Sequence, residues 1–140
     1  MPRFGKTSRL HRSTLHPDLQ QLVDEVVESF DITVLCGHRN EKDQNEAYDN
    51  KKSKVKWPDS MHNQNPSLAV DIAPYPIRWP QKGTKSYAKD LGRFYMLAGY
   101  IRAKAEDMGI DIRGGHDWDG DFDIMDQDFD DLVHWELKSK

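Results

Sequence analysis

The pattern of apolar and polar positions predicts a short series of helices and strands. Apolar side chains recur every three or four positions in residues 17–30, which is typical of a helix with one buried face. The same spacing predicts the longest helix at residues 87–108, with Gly109 placed to end it. A short polar helix is predicted at residues 41–49. Strands are predicted at residues 31–36, 68–73, 110–113 and 132–137.

The order of these elements favours an α+β fold. Few strand pairs have a helix between them, as parallel pairing would require, so we expect a small, mainly antiparallel sheet flanked by helices. A chain of 140 residues can bury one substantial core, and residues 1–140 are expected to form a single domain.

Alternation within two of the strands gathers reactive side chains on one polar face. Asp71 shares its face of the strand with Ala69 and Ala73, and His134 shares its face with Glu136. If these strands are neighbours, Asp71 and His134 meet, and His62 approaches them from the preceding loop. Asp131 precedes the last strand, where it suits a base better than a ligand.

Two histidines and one carboxylate are the ligand types of a catalytic zinc site. Such a site uses three protein ligands and keeps its fourth position open for water, whose pKa the metal lowers. A hydrogen-bonded histidine–aspartate pair uses the same residue types without a metal. The residues alone leave both interpretations open.

Charge and composition narrow the classes of protein. The net charge of −4 argues against generic nucleic-acid binding, and a metal nuclease is disfavoured for the same reason. No apolar run reaches membrane-spanning length, and the N-terminus lacks a signal peptide. The basic first twelve residues are expected to be a frayed terminus, with docking to an anionic polymer as the alternative. Cys36 has no partner for an internal disulfide and is expected to be a buried core thiol.

The order of the motifs resembles a family of zinc peptidases, those of the D-Ala-D-Ala carboxypeptidase type, whose superfamily includes Hedgehog-like domains. The motifs are Ser60-x-His62, Ala69-x-Asp71, Gly37-x-Arg39 followed by Gln44, and Asp131-x-x-His134-x-Glu136. Length and order are most similar to the phage L-alanyl-D-glutamate endopeptidases, endolysins that cut the peptide stem of peptidoglycan. Two further segments carry this resemblance, Phe4-Gly5-Lys6-x-Ser8 and Gly115-x-Asp117-Trp118.

The resemblance implies roles for individual residues. His62, Asp71 and His134 would be the zinc ligands. Asp131 would be the general base and acid, and Arg39 would bind a substrate carboxylate or the oxyanion. Four further residues would support the ligands or contact the substrate: Glu136, Ser60, Gln44 and Trp118. The family pattern has two fewer residues between its first histidine and its aspartate, so His116 is the second candidate for the first ligand.

The implied function is zinc-dependent hydrolysis of the peptidoglycan stem peptide, at the L-alanyl-D-glutamate bond, during host lysis by a phage. Irregular segments around Trp57 and Trp79 would border a peptide groove, with Trp118 at one end. A D,D-carboxypeptidase that trims terminal D-alanine is one alternative, and a non-catalytic, zinc-containing wall-binding module is another. The chain is expected to be a monomer without a separate wall-binding domain. It would be made in the host cytoplasm, would not insert into a membrane, and would reach the wall after release by another factor.

The segment at residues 114–131 is rich in aspartate. Alternating carboxylates around a glycine suit a calcium ion, although the spacing is not that of an EF-hand. A calcium-binding loop and a solvated acidic loop are both compatible with this sequence. The alternating set is Asp117, Asp119, Asp121 and Asp123, and Asp126, Asp128 and Asp130 follow it.

Overall fold

The computed structural model describes residues 3–127 and 130–138, which form helices around one small sheet. The α-helices of this part of the chain are α1 (Lys6–Arg12), α2 (Pro17–Val27), α3 (Glu41–Asp49) and α4 (Tyr87–Asp107). The strands are β1 (Ile32–Cys36), β2 (Ala69–Pro74), β3 (Ile112–Gly114) and β4 (His134–Leu137). A single-turn 3-10 helix, Met61–Asn63, lies in the long connection between α3 and β2.

The sheet has the strand order β1-β2-β4-β3, and each neighbouring pair is antiparallel. The predicted α+β class is therefore confirmed. Because β2 and β4 are the central pair, the two strands predicted to carry the reactive side chains are direct neighbours. Asp71 lies opposite His134 in their register, as the alternation of both strands required.

The hydrophobic core lies between the sheet and the two longer amphipathic helices. Val70, Ile72 and Trp135 project from the central strands into this core. The predicted apolar stripe of α4 is buried there, including Phe94 and Ile101. Burial of these side chains is the main driving force that holds the sheet in place. In the part of the chain that the structure describes, no helix is long and apolar enough to span a bilayer.

The N-terminal segment is helical, so the expected frayed terminus is wrong. Ser8 of α1 is buried, and its hydroxyl oxygen accepts a hydrogen bond of 3.0 Å from the backbone N–H of Val34. Since β1 is an edge strand, this N–H has no neighbouring strand to pair with and needs another acceptor. The guanidinium of Arg12 also pairs with both carboxylate oxygens of Asp24, at 2.7 and 2.6 Å. The helix is thus fixed by tertiary contacts that its own pattern does not reveal.

Replacing Ser8 with alanine is expected to destabilise the fold. The substitution leaves the buried N–H of Val34 without an acceptor, which costs about 1–3 kcal/mol of the free energy of unfolding. Urea denaturation followed by circular dichroism measures the loss. Thr7→Ala, on the exposed side of the same helix, is the matched control and should change the free energy little. Equal effects of the two variants would contradict the docking of α1 on β1.

Candidate active site

A bulge in β1 turns Cys36 towards the polar face of the sheet. Val34 pairs with Ile72, but Cys36 pairs with Asp71, so the register shifts between them. Strict alternation would have put Cys36 on the core side with Val34; the extra residue reverses it. The thiol is partly exposed, and its sulfur and ligand atoms of His62 and Asp71 all lie within 4.8 Å of one another. The expectation of a buried core thiol is therefore wrong.

The carboxylate of Asp71 is the point on which both histidines converge. Its Oδ1 lies 3.1 Å from Nε2 of His62 and 3.4 Å from Nδ1 of His134. The two imidazole rings meet nearly edge-on, with their centroids 5.2 Å apart. The structure thus brings together the three residues that the sequence named as ligands.

The outer nitrogen of each ring is held by a fixed acceptor. Nδ1 of His62 donates to the carbonyl oxygen of Gly37 at 2.7 Å, and Nε2 of His134 donates to the carboxylate of Glu136 at 2.7 Å. When the outer nitrogen carries the proton of a neutral imidazole, the inner nitrogen presents a lone pair. Both lone pairs then face Asp71, and hydrogen bonds of this kind are what orient histidines that bind metals.

The position of His62 follows from local capping and from one close backbone approach. The hydroxyl of Ser60 accepts from the backbone N–H of His62 at 3.2 Å, and Asn63 closes the same turn through the N–H of Ser60 at 3.0 Å. These bonds form the single helical turn that carries His62. Gly37 has no room for a Cβ, which would collide with Thr14 and a backbone carbonyl of α1. Its carbonyl is therefore held where His62 needs it.

Arg39 lies beside this cluster and is oriented by Gln44. One terminal nitrogen of Arg39 donates to the side-chain oxygen of Gln44 at 3.0 Å, and the other lies 3.7 Å from Asp71. Gln44 is fully buried, and its amide nitrogen donates to Ser53 and to the carbonyl of Val55. Gln44 therefore links Arg39 to the loop that contains Ser53 and Val55.

Asp131 lies beside Gly115, the residue that follows β3. Its backbone N–H donates to the carbonyl of Gly115 at 2.9 Å, and a Cβ on Gly115 would overlap the backbone of Asp131. Burial raises the pKa of the Asp131 carboxyl, and the negative charge of Asp71 raises it further. A carboxylate with a raised pKa is a better proton acceptor, which suits the predicted base.

Arg113 on β3 and Trp118 in the loop that follows lie next to Glu136 and His134. Nε of Arg113 donates to the second oxygen of Glu136 at 3.0 Å. The ring of Trp118 lies 5.7 Å from that of His134, and the guanidinium of Arg113 lies 5.6 Å from the Trp118 ring. Arg113 has no place in the recognised motifs, so the sequence did not mark it.

These residues surround a cavity of about 370 Å³. Its walls include Arg39, Ser60, His62, Asp71, Asp131, His134, Glu136, Arg113 and Trp118, together with residues 52–55. The segment that precedes Trp57 therefore borders the cavity, as expected. Trp79 does not; it stacks on Phe94 of α4, with ring centroids 5.5 Å apart, so the expected groove role of Trp79 is wrong.

His116 lies apart from the two converging histidines. It is buried against Trp135 and Tyr95, and its Nε2 donates to the carbonyl of Leu132 at 2.5 Å. Burial lowers the pKa of His116 to about 4, although the bond to Leu132 opposes the shift. Its ring occupies the core side of β4, whereas His62 occupies the side of Asp71. The geometry therefore favours His62 over His116 as the first candidate ligand.

The sequence and the fold of this chain are similar to those of known proteins. The family description "Phage L-alanyl-D-glutamate peptidase" matches residues 1–138. The chain belongs to the phage L-alanyl-D-glutamate peptidase family. It is 28% identical over 130 residues to the L-alanyl-D-glutamate peptidase of Escherichia phage T5, covering 89% of this chain and 88% of that protein. Its fold is similar to the crystal structure of the Serratia marcescens L-Ala D-Glu endopeptidase ChiX, with a TM-score of 0.68 and 19% identity, covering 97% of this chain and 90% of that one.

Membership of this family makes the chain a peptidase of peptidoglycan, with the L-alanyl-D-glutamate bond as its target and phage lysis as its context. The sequence resemblance and the predicted peptidase activity are confirmed, and the predicted dependence on zinc stays a prediction.

The acidic loop of this phage peptidase brings three of its carboxylates together. Oxygens of Asp117, Asp119 and Asp121 lie within 4.8 Å of one another. Asp123 instead accepts from the backbone N–H of Met125 at 2.9 Å. A hydrogen bond with Asp121, aided by neighbouring negative charge, raises the pKa of Asp126 to about 6. Asp128 lies outside the described residues, and calcium binding here stays a prediction.

In the metal-free cluster, His62 carries a proton at neutral pH. Burial by itself lowers the pKa of His62, but the negative charge of Asp71 outweighs it and raises the pKa to about 10. Burial raises the pKa of Asp71, and the positive charge of His62 more than offsets this, so the carboxyl stays ionised far below its usual range. In the absence of a metal, His62 and Asp71 thus form an ion pair at neutral pH.

Metal-free protein is expected to lose stability as the pH rises from about 6.5, the ordinary pKa of histidine, to about 10. The folded pKa of His62 is raised, so its contribution is fully present below the unfolded value and disappears through the folded one. Thermal unfolding with a chelator, measured from pH 6 to 9.5, tests this. Asp71→Asn removes the charge that raises the pKa and should flatten the profile. An unchanged slope in that variant would contradict the ion pair.

Proposed function

We propose that this phage peptidase uses a zinc ion held by His62, Asp71 and His134. The observation that carries the proposal is the convergence of two imidazole nitrogens on one oxygen of Asp71, with each outer nitrogen held by an acceptor. Two histidines and one carboxylate match the donor set of catalytic zinc sites, which leave a fourth position open. The cavity on this face gives a substrate access to that position.

The thiol of Cys36 is the competing donor. Its sulfur belongs to the same group of ligand-capable atoms as His62 and Asp71. It also lies 3.7 Å from a terminal nitrogen of Arg39, which donates to it. Among the described residues, the inner nitrogen of His134 has no such donor against it and faces Asp71. We therefore assign the third ligand to His134 and place Cys36 beside the site rather than on the ion.

The two assignments of the third ligand predict different zinc contents. His134→Ala should lose bound zinc after gel filtration, whereas Cys36→Ser should retain close to one ion per chain, because only His134 is a ligand. Inductively coupled plasma mass spectrometry measures the ratio, and circular dichroism checks that both variants fold. Loss of zinc from Cys36→Ser with retention in His134→Ala would reverse the assignment.

The catalytic roles follow from the surroundings of the proposed ion. Zinc bound here would supply Lewis acidity, which lowers the pKa of a water molecule and polarises the scissile carbonyl. Asp131 takes the proton of the attacking water and delivers it to the leaving amine nitrogen. Arg39, held by Gln44, places a positive charge beside the forming oxyanion, where its attraction lowers the barrier. Glu136 keeps the ring of His134 in the orientation that ligation needs.

Replacing Asp131 with asparagine should separate zinc binding from turnover. The amide cannot accept the proton, so kcat is expected to fall by about 100- to 10,000-fold while the zinc content is unchanged. A digest of purified peptidoglycan, followed by mass spectrometry, measures stem peptides that begin at D-glutamate. Asp130→Asn, which removes the exposed neighbouring carboxylate, is the control and should stay active.

The same digest checks the peptidase activity against the two alternatives that the sequence left open, both of which the family assignment disfavours. Release of single D-alanine residues would identify a D,D-carboxypeptidase, and the absence of any product from zinc-loaded, folded protein would indicate a binding module. Full activity in Asp131→Asn would remove the general base from the mechanism.

A further inference from the structure

We propose that Arg113 recognises the free carboxylate of the glutamyl residue that follows the scissile bond. This makes Arg113 a specificity-determining residue of the peptidase, and it deepens the proposed function, on which it rests. No motif of the sequence includes Arg113; the inference comes from its position in the cavity.

Arg113 is anchored on one edge of its guanidinium and available on the other. Its Nε donates to Glu136 at 3.0 Å, and its planar group lies over Trp118 at 5.6 Å. Within residues 3–127 and 130–138, its two terminal nitrogens make no hydrogen bond to the protein. The side chain is 46% exposed and borders the cavity that contains Asp71 and His134. A planar fork held in this way suits a carboxylate, which it can bind through two parallel hydrogen bonds.

The other arginine of the cavity is already occupied. The terminal nitrogens of Arg39 contact Gln44, Asp71 and Cys36, and its side chain is only 17% exposed. Its charge therefore serves the reacting centre. The lysines of residues 52–55 also border the cavity, but on flexible stems whose ammonium groups act as point charges. Arg113 is the cation of the described cavity that combines a rigid anchor with free donors.

The chemistry of the substrate supplies the matching anion. A glutamyl residue has two carboxyl groups, and when one of them continues the stem peptide the other remains free. Its nitrogen belongs to the scissile bond, so this carboxylate lies within a few bonds of the reacting carbonyl. Glu136 bridges Arg113 and His134, which puts the guanidinium one carboxylate away from a proposed zinc ligand. Both the free carboxylate of the substrate and Arg113 therefore lie on the same side as the reacting centre.

The test uses two peptides that differ at this carboxylate alone. One contains the L-alanyl-D-glutamyl bond with the free carboxylate, and the other has that carboxylate converted to the neutral amide. The zinc-loaded wild-type protein should cleave the acid with a kcat/KM about tenfold to a hundredfold higher, the effect of one or two charge-assisted hydrogen bonds. In Arg113→Gln this preference should disappear, mainly because KM for the acid rises.

The ratio of the two cleavage rates in Arg113→Gln and two further variants separate recognition from a structural role. If Arg113 only supports Glu136, Arg113→Gln will slow the cleavage of both peptides by the same factor. The ratio of the two kcat/KM values would then be unchanged, which would overturn the proposal. Arg113→Lys keeps the charge without the fork and should retain part of the preference, so it also serves if Arg113→Gln fails to fold. Arg78→Gln removes an arginine paired with Asp90, outside this cavity, and should leave the ratio at the wild-type value.

The outcome for the wild-type protein distinguishes this inference from the proposed function. Equal cleavage of acid and amide by an active zinc enzyme would refute recognition by Arg113 and leave the zinc mechanism intact. Cleavage of neither peptide by folded, zinc-loaded protein would refute the proposed function itself.

Discussion

The negative charge of Asp71 is the constraint around which the site is built. This carboxylate lies on a central strand, opposite His134, and it is only 16% exposed. A buried charge without partners is strongly unfavourable, so groups that balance it have to surround it. His62, His134 and Arg39 come from three different segments to do so. In metal-free protein the balance includes a proton on His62, and a divalent cation would replace that proton.

Much of this arrangement could be predicted from the sequence because it depends on simple alternation. The period of two in β2 and β4 put Asp71 and His134 on the same face, and their pairing as neighbours brought them into direct opposition. The helical stripes of α2 and α4 were equally regular, since both helices bury one face against the core. Order and spacing then identified the family from a few motif residues.

Other features could not be predicted because tertiary contacts decide them. The bulge that turns Cys36 out of the core leaves no signature in an unbroken apolar run. Helix α1 has seven residues, too few to be stable in isolation, and it depends on Ser8 meeting an unpaired N–H of β1. Arg113 belongs to a three-residue edge strand, and only the fold reveals that it reaches Glu136. Each of these depends on a partner that is distant in the sequence.

Close backbone contacts give the site its rigidity. The carbonyl of Gly37 orients His62, and the carbonyl of Gly115 holds the backbone of Asp131, both at places where a Cβ would not fit. A main-chain carbonyl has no rotamers to lose, so these bonds fix the proposed ligand His62 and the proposed base Asp131 without the entropy cost of ordering another side chain. Electrostatic catalysis requires groups that are already in position when the charge develops. The two glycines are therefore as much a part of the proposed catalytic geometry as the side chains that they orient.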